Sequence, residues 1–406
     1  MSSTSPKEVS RHIITMEMQK EIARNTLGSE SGSSIESLVA WYHHMQQIQP
    51  VRYRPEYNLW EVFRYKDVEQ VLLDCATFSV DKCLPEGFPV ALGKSDPPEH
   101  RQLRNLVSKV FTPRRIEELT PRLVQIVDEL LEVAIANGKM HVDTQFAHLL
   151  PGCVIAEMLG LPPQDHQRFY QWSSQLVDQL TGIANPDNTE LLQYFSDLLT
   201  ERKRDPRDDL VSELLAIGGN GTHLSYEMLL SLCVELMTAG NVTTSRLLIL
   251  TFERLCQHPE IYQALRYDPA LIPGFIEEML RYDFSSLDLW RTARHDTVLS
   301  GQEIKAGQYV VAWTAAANFD ETYFLHSEQF DIRRSPNPHL TFGHGVHVCL
   351  GAPLARLEIR IALERIVTHF SKIRLAPEKP LRFLAPSSES IPPFCVRFTS
   401  VASPSL

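Results

Sequence analysis

Apolar residues recur at helical spacing through most of this chain. Ser34 precedes such a run from Ile35 to Met45, which predicts a first helix. The segments V-R-Y-R-P and N-L-W-E-V-F-R-Y then alternate around the turn-forming residues Pro55 to Asn58 and predict a hairpin. Helical period returns at Tyr65, and strand signal is sparse until W-R-T-A-R at 290–294, after which T-V-L-S-G-Q-E-I, G-Q-Y-V-V-A-W-T and, near the end, P-F-C-V-R-F alternate again. Between these lie an irregular loop over 78–94 and a helix led in by Asp96, which can cap it. Three or four helices over 116–215 are separated by Asn137-Gly138, Pro162-Pro163 and residues 184–188. Ser225 to His258 reads as one helix of roughly 50 Å, apolar around most of its circumference and so buried. The run Ala239-Gly240-Asn241-Val242-Thr243-Thr244 interrupts it with small and polar residues. A final helix runs from Leu350 to Phe370. The pattern predicts a mainly α fold with small β-sheets (α+β), the sheets coming from the two ends of the sequence.

Composition narrows the class. An apolar fraction of 43% over 406 residues supports a sizeable core, and a formal charge of −11 with no dominant basic cluster argues against a nucleic-acid binder. The seven cysteines are scattered, with no C-x-x-C pair, which fits a reducing cytoplasm better than a disulfide framework. Residues 1–34 end in G-S-E-S-G-S-S and read as a mobile or loosely packed N-terminal segment. With no apolar signal region and no run of about 18 apolar residues, no membrane anchor is expected. Glu235, Asn241 and the threonines argue against a span in the long helix.

Candidate chemistry concentrates in His339 to Glu358, H-L-T-F-G-H-G-V-H-V-C-L-G-A-P-L-A-R-L-E. Gly343 and Gly345 allow a tight loop, and Cys349 falls just before a helix N-terminus, whose partial charge favours a thiolate. Taken alone, Cys349 is read as a small buried apolar residue; a zinc site from His344, His347 and Cys349 is a competing possibility, but leaves the glycines unexplained. His100 and Arg104 share a helix face, which by itself suggests a solvated basic surface. Thr243 can bond back to the carbonyl four residues earlier and open the helix locally, as threonines in core helices do. Glu278 and Arg281 form an i,i+3 pair, by default a surface ion pair.

Reading F-x-x-G-x-H-x-C-x-G from Phe342 to Gly351, the cysteine loop closely resembles the haem-binding loop of the cytochrome P450 family. The resemblance runs in order through the His100/Arg104 helix, the Thr243 groove, Glu278–Arg281 and Arg291, covering about residues 35–398 as one domain with a tail over 399–406. It implies the fold of that family, a triangular-prism helical domain with haem b between the long central helix and the Cys-loop helix. By the same resemblance, Cys349 is the thiolate ligand of the iron, His100, Arg104, Arg291 and His347 hold the propionates, and His339, Phe342, Gly343 and Gly351 belong to the cofactor site. Ala239, Gly240, Asn241, Thr243 and Thr244 form the oxygen groove, and Arg334 completes a buried Glu278–Arg281 pair. The usual acid of the groove is Val242 here, so the expected proton relay uses ordered water, Asn241, Thr244 or a substrate hydroxyl.

The implied activity is O2-dependent hydroxylation or epoxidation of a medium-to-large hydrophobic molecule (terpenoid, steroid, fatty acid or polyketide). Electrons come from NAD(P)H through a ferredoxin or flavodoxin and its reductase, docking near Arg101, Lys109, Arg114, Arg115, His344 and Arg356. Substrate contacts by position are Phe88, Val90, Leu92, Val177, Leu180, Val234, Val242, Leu287, Leu289 and Pro393. A peroxide-using or rearranging haem-thiolate enzyme is the alternative, and a non-catalytic haem-binding sensor a further one.

Overall fold

The computed structural model describes residues 35–81, 83, 91–165, 168–169, 171–173, 175–176, 187–219, 225–283, 288–376 and 394–401. The N-terminal segment 1–34 lies outside these residues. Helices dominate, and some of their ends carry the expected chemistry. Ser225 Oγ accepts from Met228 N–H (3.1 Å) at the start of the central helix Tyr226–Gln257. Gly138, at φ 64°, ends Thr120–Asn137 in the left-handed conformation. Asp96 departs from the expectation: it does not cap helix Glu99–Val110, because its carboxylate is taken by Ser79 Oγ (2.5 Å) and Arg294 (2.6 Å).

The hairpin is present as β1 (Val51–Arg54) and β2 (Leu59–Val62), joined by the turn Pro55–Tyr57. Strand β2 pairs in parallel with β8 (Tyr309–Ala312), which pairs antiparallel with β5 (Leu289–Ala293), and β3 (Phe78–Ser79) lies at the edge. A second sheet has the order β4-β10-β9, from Lys139–His141, Cys395–Ser400 and Phe370–Leu375, and β6 (Thr297–Leu299) with β7 (Gln302–Ile304) forms a small hairpin. Strands β3 and β4, of two and three residues, are too short to show a period in sequence. β4 also shows that the sheets are not confined to the two ends of the chain.

The main core surrounds the central helix, which packs on Leu149–Met158, Thr189–Arg204 and β9. The helix after the cysteine, Ala352–His369, packs on Thr120–Asn137 and Ile272–Tyr282. An aromatic cluster of Trp41, Tyr42, Phe63, Trp313 and Phe319 fastens the first helix, Ile35–Ile48, to the large sheet. Among the described residues, no helix is long and apolar enough to cross a membrane.

Candidate active site

The cysteine loop is pinned from behind before it reaches Cys349. Tyr65 donates to Pro338 O (2.8 Å), Leu340 N–H donates to Asn318 Oδ1 (2.7 Å), and Thr341 donates to Leu280 O (2.6 Å). Gly343 and Gly345 then turn at φ 71° and 72°, and a Cβ on Gly345 would stand 3.0 Å from Leu72 O. The turn lets Cys349 N–H donate to Phe342 O (2.8 Å) and opens the cysteine onto a cavity of about 220 Å³. Cys349 is exposed to the cavity, yet the protein packed around it still pushes the thiol pKa up, against the N–H groups of Gly351 and Ala352 and the charges of Arg104 and Arg356.

The same cavity is bordered by His100, Arg104, Thr243, Thr244, Phe342 and Gly351. The His100 and His347 rings lie 4.1 Å apart, and His347 is held down to about 4 by burial and by its neighbours His100 and Arg291. His100 Nδ1 is buried without a hydrogen-bond partner, and His347 Nε2 has none within hydrogen-bond distance, its nearest carboxylate oxygen being Asp96 Oδ1 at 3.8 Å. Arg104 and Arg291 have no ion-pair partner among the described residues, although Arg291 donates to Trp290 O (2.8 Å). Donors left this way cost about 1–3 kcal/mol each, and a ligand bearing two carboxylates satisfies them. The donor set suits haem, with a sulfur ligand at one point of the cavity wall and propionate-binding groups at another. The zinc alternative does not fit: no group of three His, Cys, Asp or Glu side chains converges among the described residues, and His344 instead lies 4.0 Å from Glu69.

Across the cavity, the central helix is helical without a break through 239–244, so its small residues leave it intact. Thr243 Oγ1 donates to Ala239 O (3.0 Å). The residues it turns to the cavity are Leu232, Glu235, Leu236, Ala239, Gly240, Thr243 and Thr244, an i, i+3, i+4, i+7 stripe. Asn241 lies off this stripe. It is buried behind the helix against Gly152 and accepts from Ser245 Oγ (3.2 Å), so it is no member of a relay in the cavity. Val234, wholly buried, and Val242 also fall off the stripe, and neither borders the cavity as the substrate reading required.

Other expectations are redistributed. His339 does not reach the cavity; its Nε2 lies 3.1 Å from Glu277, which also takes Arg356 at 2.6 and 2.8 Å. Leu289 touches the Gly343 turn rather than the cavity. Leu92 lines it, while Phe88, Val90, Val177, Leu180, Leu287 and Pro393 lie outside the described residues. The Glu278–Arg281 pair is fully buried, and Arg334 Nε adds a third contact at 3.2 Å.

Two carboxyls on the cavity wall escaped the sequence reading. Glu358 is buried with Oε2 unpartnered, and burial pushes it well above the usual carboxylate range. Glu235 is the other, and an acid set directly between Val234 and Leu236 in the apolar part of the long helix was its signal.

Comparison with known proteins agrees with this geometry. The family model for cytochrome P450 matches residues 270–388. The erythromycin C-12 hydroxylase of Saccharopolyspora erythraea is 39% identical, over 83% of this chain and 88% of the relative. The mycinamicin IV hydroxylase/epoxidase of Micromonospora griseorubida is also 39% identical, over 86% and 92%. The solved structure of CYP109E1 from Bacillus megaterium with testosterone superposes with a TM-score of 0.83 at 31% identity, covering 90% of this chain and 99% of that one. The chain belongs to the cytochrome P450 family and is a cytochrome P450 monooxygenase.

Proposed function

We propose that this enzyme holds haem b on Cys349 and uses O2 to hydroxylate or epoxidise a medium-to-large hydrophobic molecule. One observation carries the reading: a cysteine, a set of unsatisfied propionate-binding donors and a threonine pair border or adjoin one cavity. His100, Arg104, Arg291 and His347 would hold the two propionates; Phe342 and Gly351 would pack beside the ligand sulfur. When bound, the haem supplies dioxygen activation, which electron donation from a thiolate ligand favours.

The protein's own part is positioning and proton handling. Thr243, whose hydroxyl proton is engaged by Ala239 O, keeps lone pairs to accept from a water in the cavity, and Thr244 stands beside it. With Asn241 turned away, the relay consists of these two hydroxyls, water and any substrate hydroxyl. The mostly apolar wall around Leu92, Val107, Phe111, Ile155 and Leu236 excludes water and suits an apolar substrate. The relatives' named substrates and the testosterone in CYP109E1 support a large one.

Electrons would come from NAD(P)H through a ferredoxin or flavodoxin-type partner. The expected docking charges are reduced, because Arg114, Arg115 and Arg356 are paired with Glu118, Glu213 and Glu277. Arg101 and Lys109, both exposed on helix Glu99–Val110, remain for the partner. The test is the absorbance of the reduced, carbon-monoxide-bound protein, which separates thiolate from imidazole ligation. A thiolate spectrum in the native protein, lost in Cys349→His, is expected; an imidazole-type spectrum in fresh native protein would remove Cys349 as ligand.

A further inference from the structure

One carboxylate on the cavity wall is held mainly by backbone. Glu235 lies on the cavity stripe of the central helix, about two turns before Thr243. Its Oε2 accepts from the N–H groups of Ala91 (3.0 Å) and Leu92 (2.8 Å), and its Oε1 accepts from Gly93 N–H (2.7 Å). Three successive N–H groups turned toward one acid form an anion-binding nest, which works against the burial that raises the carboxyl's pKa. The loop side is equally specific. A Cβ on Gly93 would stand 2.9 Å from Glu235 Oε1, so a side chain at residue 93 would displace the carboxylate from its present position.

The contact joins segments 142 to 144 residues apart, and both partners border the cavity onto which Cys349 opens. Leu92, like Ala91 before it, is buried, and its carbonyl accepts from Ser95 Oγ (3.2 Å), which closes the turn. The neighbours of Glu235 on the stripe are Leu232, Leu236 and Ala239. An apolar residue would pack there without the penalty of desolvating an acid. The acid thus supplies position, since it is the group that ties the loop to the helix.

We propose that Glu235 is a specificity-determining positioning residue: its carboxylate clasps the backbone of Ala91, Leu92 and Gly93 to the central helix and so sets Leu92 as a fixed wall of the ligand cavity. The ligand role of the cavity rests on the function proposed above; the clasp is a property of the folded chain. Without it the loop moves away and the cavity discriminates less by ligand size.

The experiment uses haem-loaded protein as wild type, Glu235→Ala, Glu235→Gln and Gly93→Ala. Amide hydrogen exchange at residues 91–93 should accelerate at least about tenfold in E235A. E235Q should be intermediate, because its one carbonyl oxygen can keep the two-donor position. G93A should resemble E235A, and the double variant should be no worse than either single change, since both break one contact. In parallel, dissociation constants for imidazole, 4-phenylimidazole and clotrimazole should shift so that the largest gains on the smallest by about fivefold or more in E235A. Unchanged exchange at 91–93 in E235A, with E235Q and G93A as folded controls, overturns the clasp. Faster exchange with an unchanged azole ratio overturns its role in specificity. Protein that takes up no haem would sink the functional reading, while the exchange arm would still decide the clasp.

Discussion

Replacing Glu278 with alanine should be among the most damaging single changes in this chain. Glu278 is fully buried and accepts five hydrogen bonds: Arg281 Nε at 2.9 Å and Nη2 at 2.7 Å, Asp331 N–H at 2.9 Å, Arg334 Nε at 3.2 Å and Asn337 Nδ2 at 3.1 Å. Its removal leaves the fully buried Arg281 charge with only carbonyl acceptors, those of Asn318, Ser327 and Gln329. Breaking a buried pair from one side costs about 3–5 kcal/mol, because the remaining charge has no counter-ion in a poorly polarisable interior. Glu278→Leu combined with Arg281→Met removes both charges and should recover about 2 kcal/mol or more relative to the sum of the single changes. Urea unfolding followed by tryptophan emission suits the measurement, since Trp41 and Trp313 share a cluster with Tyr282, the residue after Arg281. Haem content should be matched between samples. A loss of no more than about 1 kcal/mol in E278A, the value of an exposed pair, would refute the reasoning.

Three further outcomes are expected. The Glu277 carboxyl, which burial alone would raise, is brought down to about 2 by its bonds to Arg356 and His339. Its contribution to stability is therefore complete above its ordinary value of 4.5 and is lost as pH falls toward 2, so Glu277→Gln should flatten the acid limb of a stability profile over that window. Gly345→Ala places a side chain at φ 72° and 3.0 Å from Leu72 O, which should cost about 1–2 kcal/mol before the clash and weaken haem retention, read as the haem-to-protein absorbance ratio at rising temperature. Thr243→Ala removes a cavity hydroxyl and should raise hydrogen peroxide release per NAD(P)H consumed; unchanged coupling would take Thr243 out of the proton relay.

The long helix shows how far sequence periodicity reaches. Its existence was legible because apolar residues cover nearly all of it, and its cavity face was legible in principle, since Ala239, Gly240, Thr243 and Thr244 share one stripe. Asn241, two residues from Thr243 and so about 200° around the helix from it, belongs to the opposite face; the family pattern had placed it in the groove by adjacency alone. His339 failed for a related reason. It lies within the cysteine-loop stretch, but Glu277 and Arg356, remote in sequence, hold it away from the cavity.

By itself the sequence determined what depends on local chemistry. It specified a helical chain with small sheets and a cysteine held in a glycine-punctuated loop, while the pairing of distant basic residues with two carboxylates came from the family resemblance. Tertiary structure decided which groups share a space and which satisfy one another. It left His100 and His347 each with a ring nitrogen lacking a hydrogen-bond partner and engaged three of the six expected docking cations in ion pairs. It also tied the loop at Ala91 to Gly93 onto Glu235. A hydrogen bond acts over about 3 Å, so partners separated by over a hundred residues in sequence are assigned only when the chain has folded.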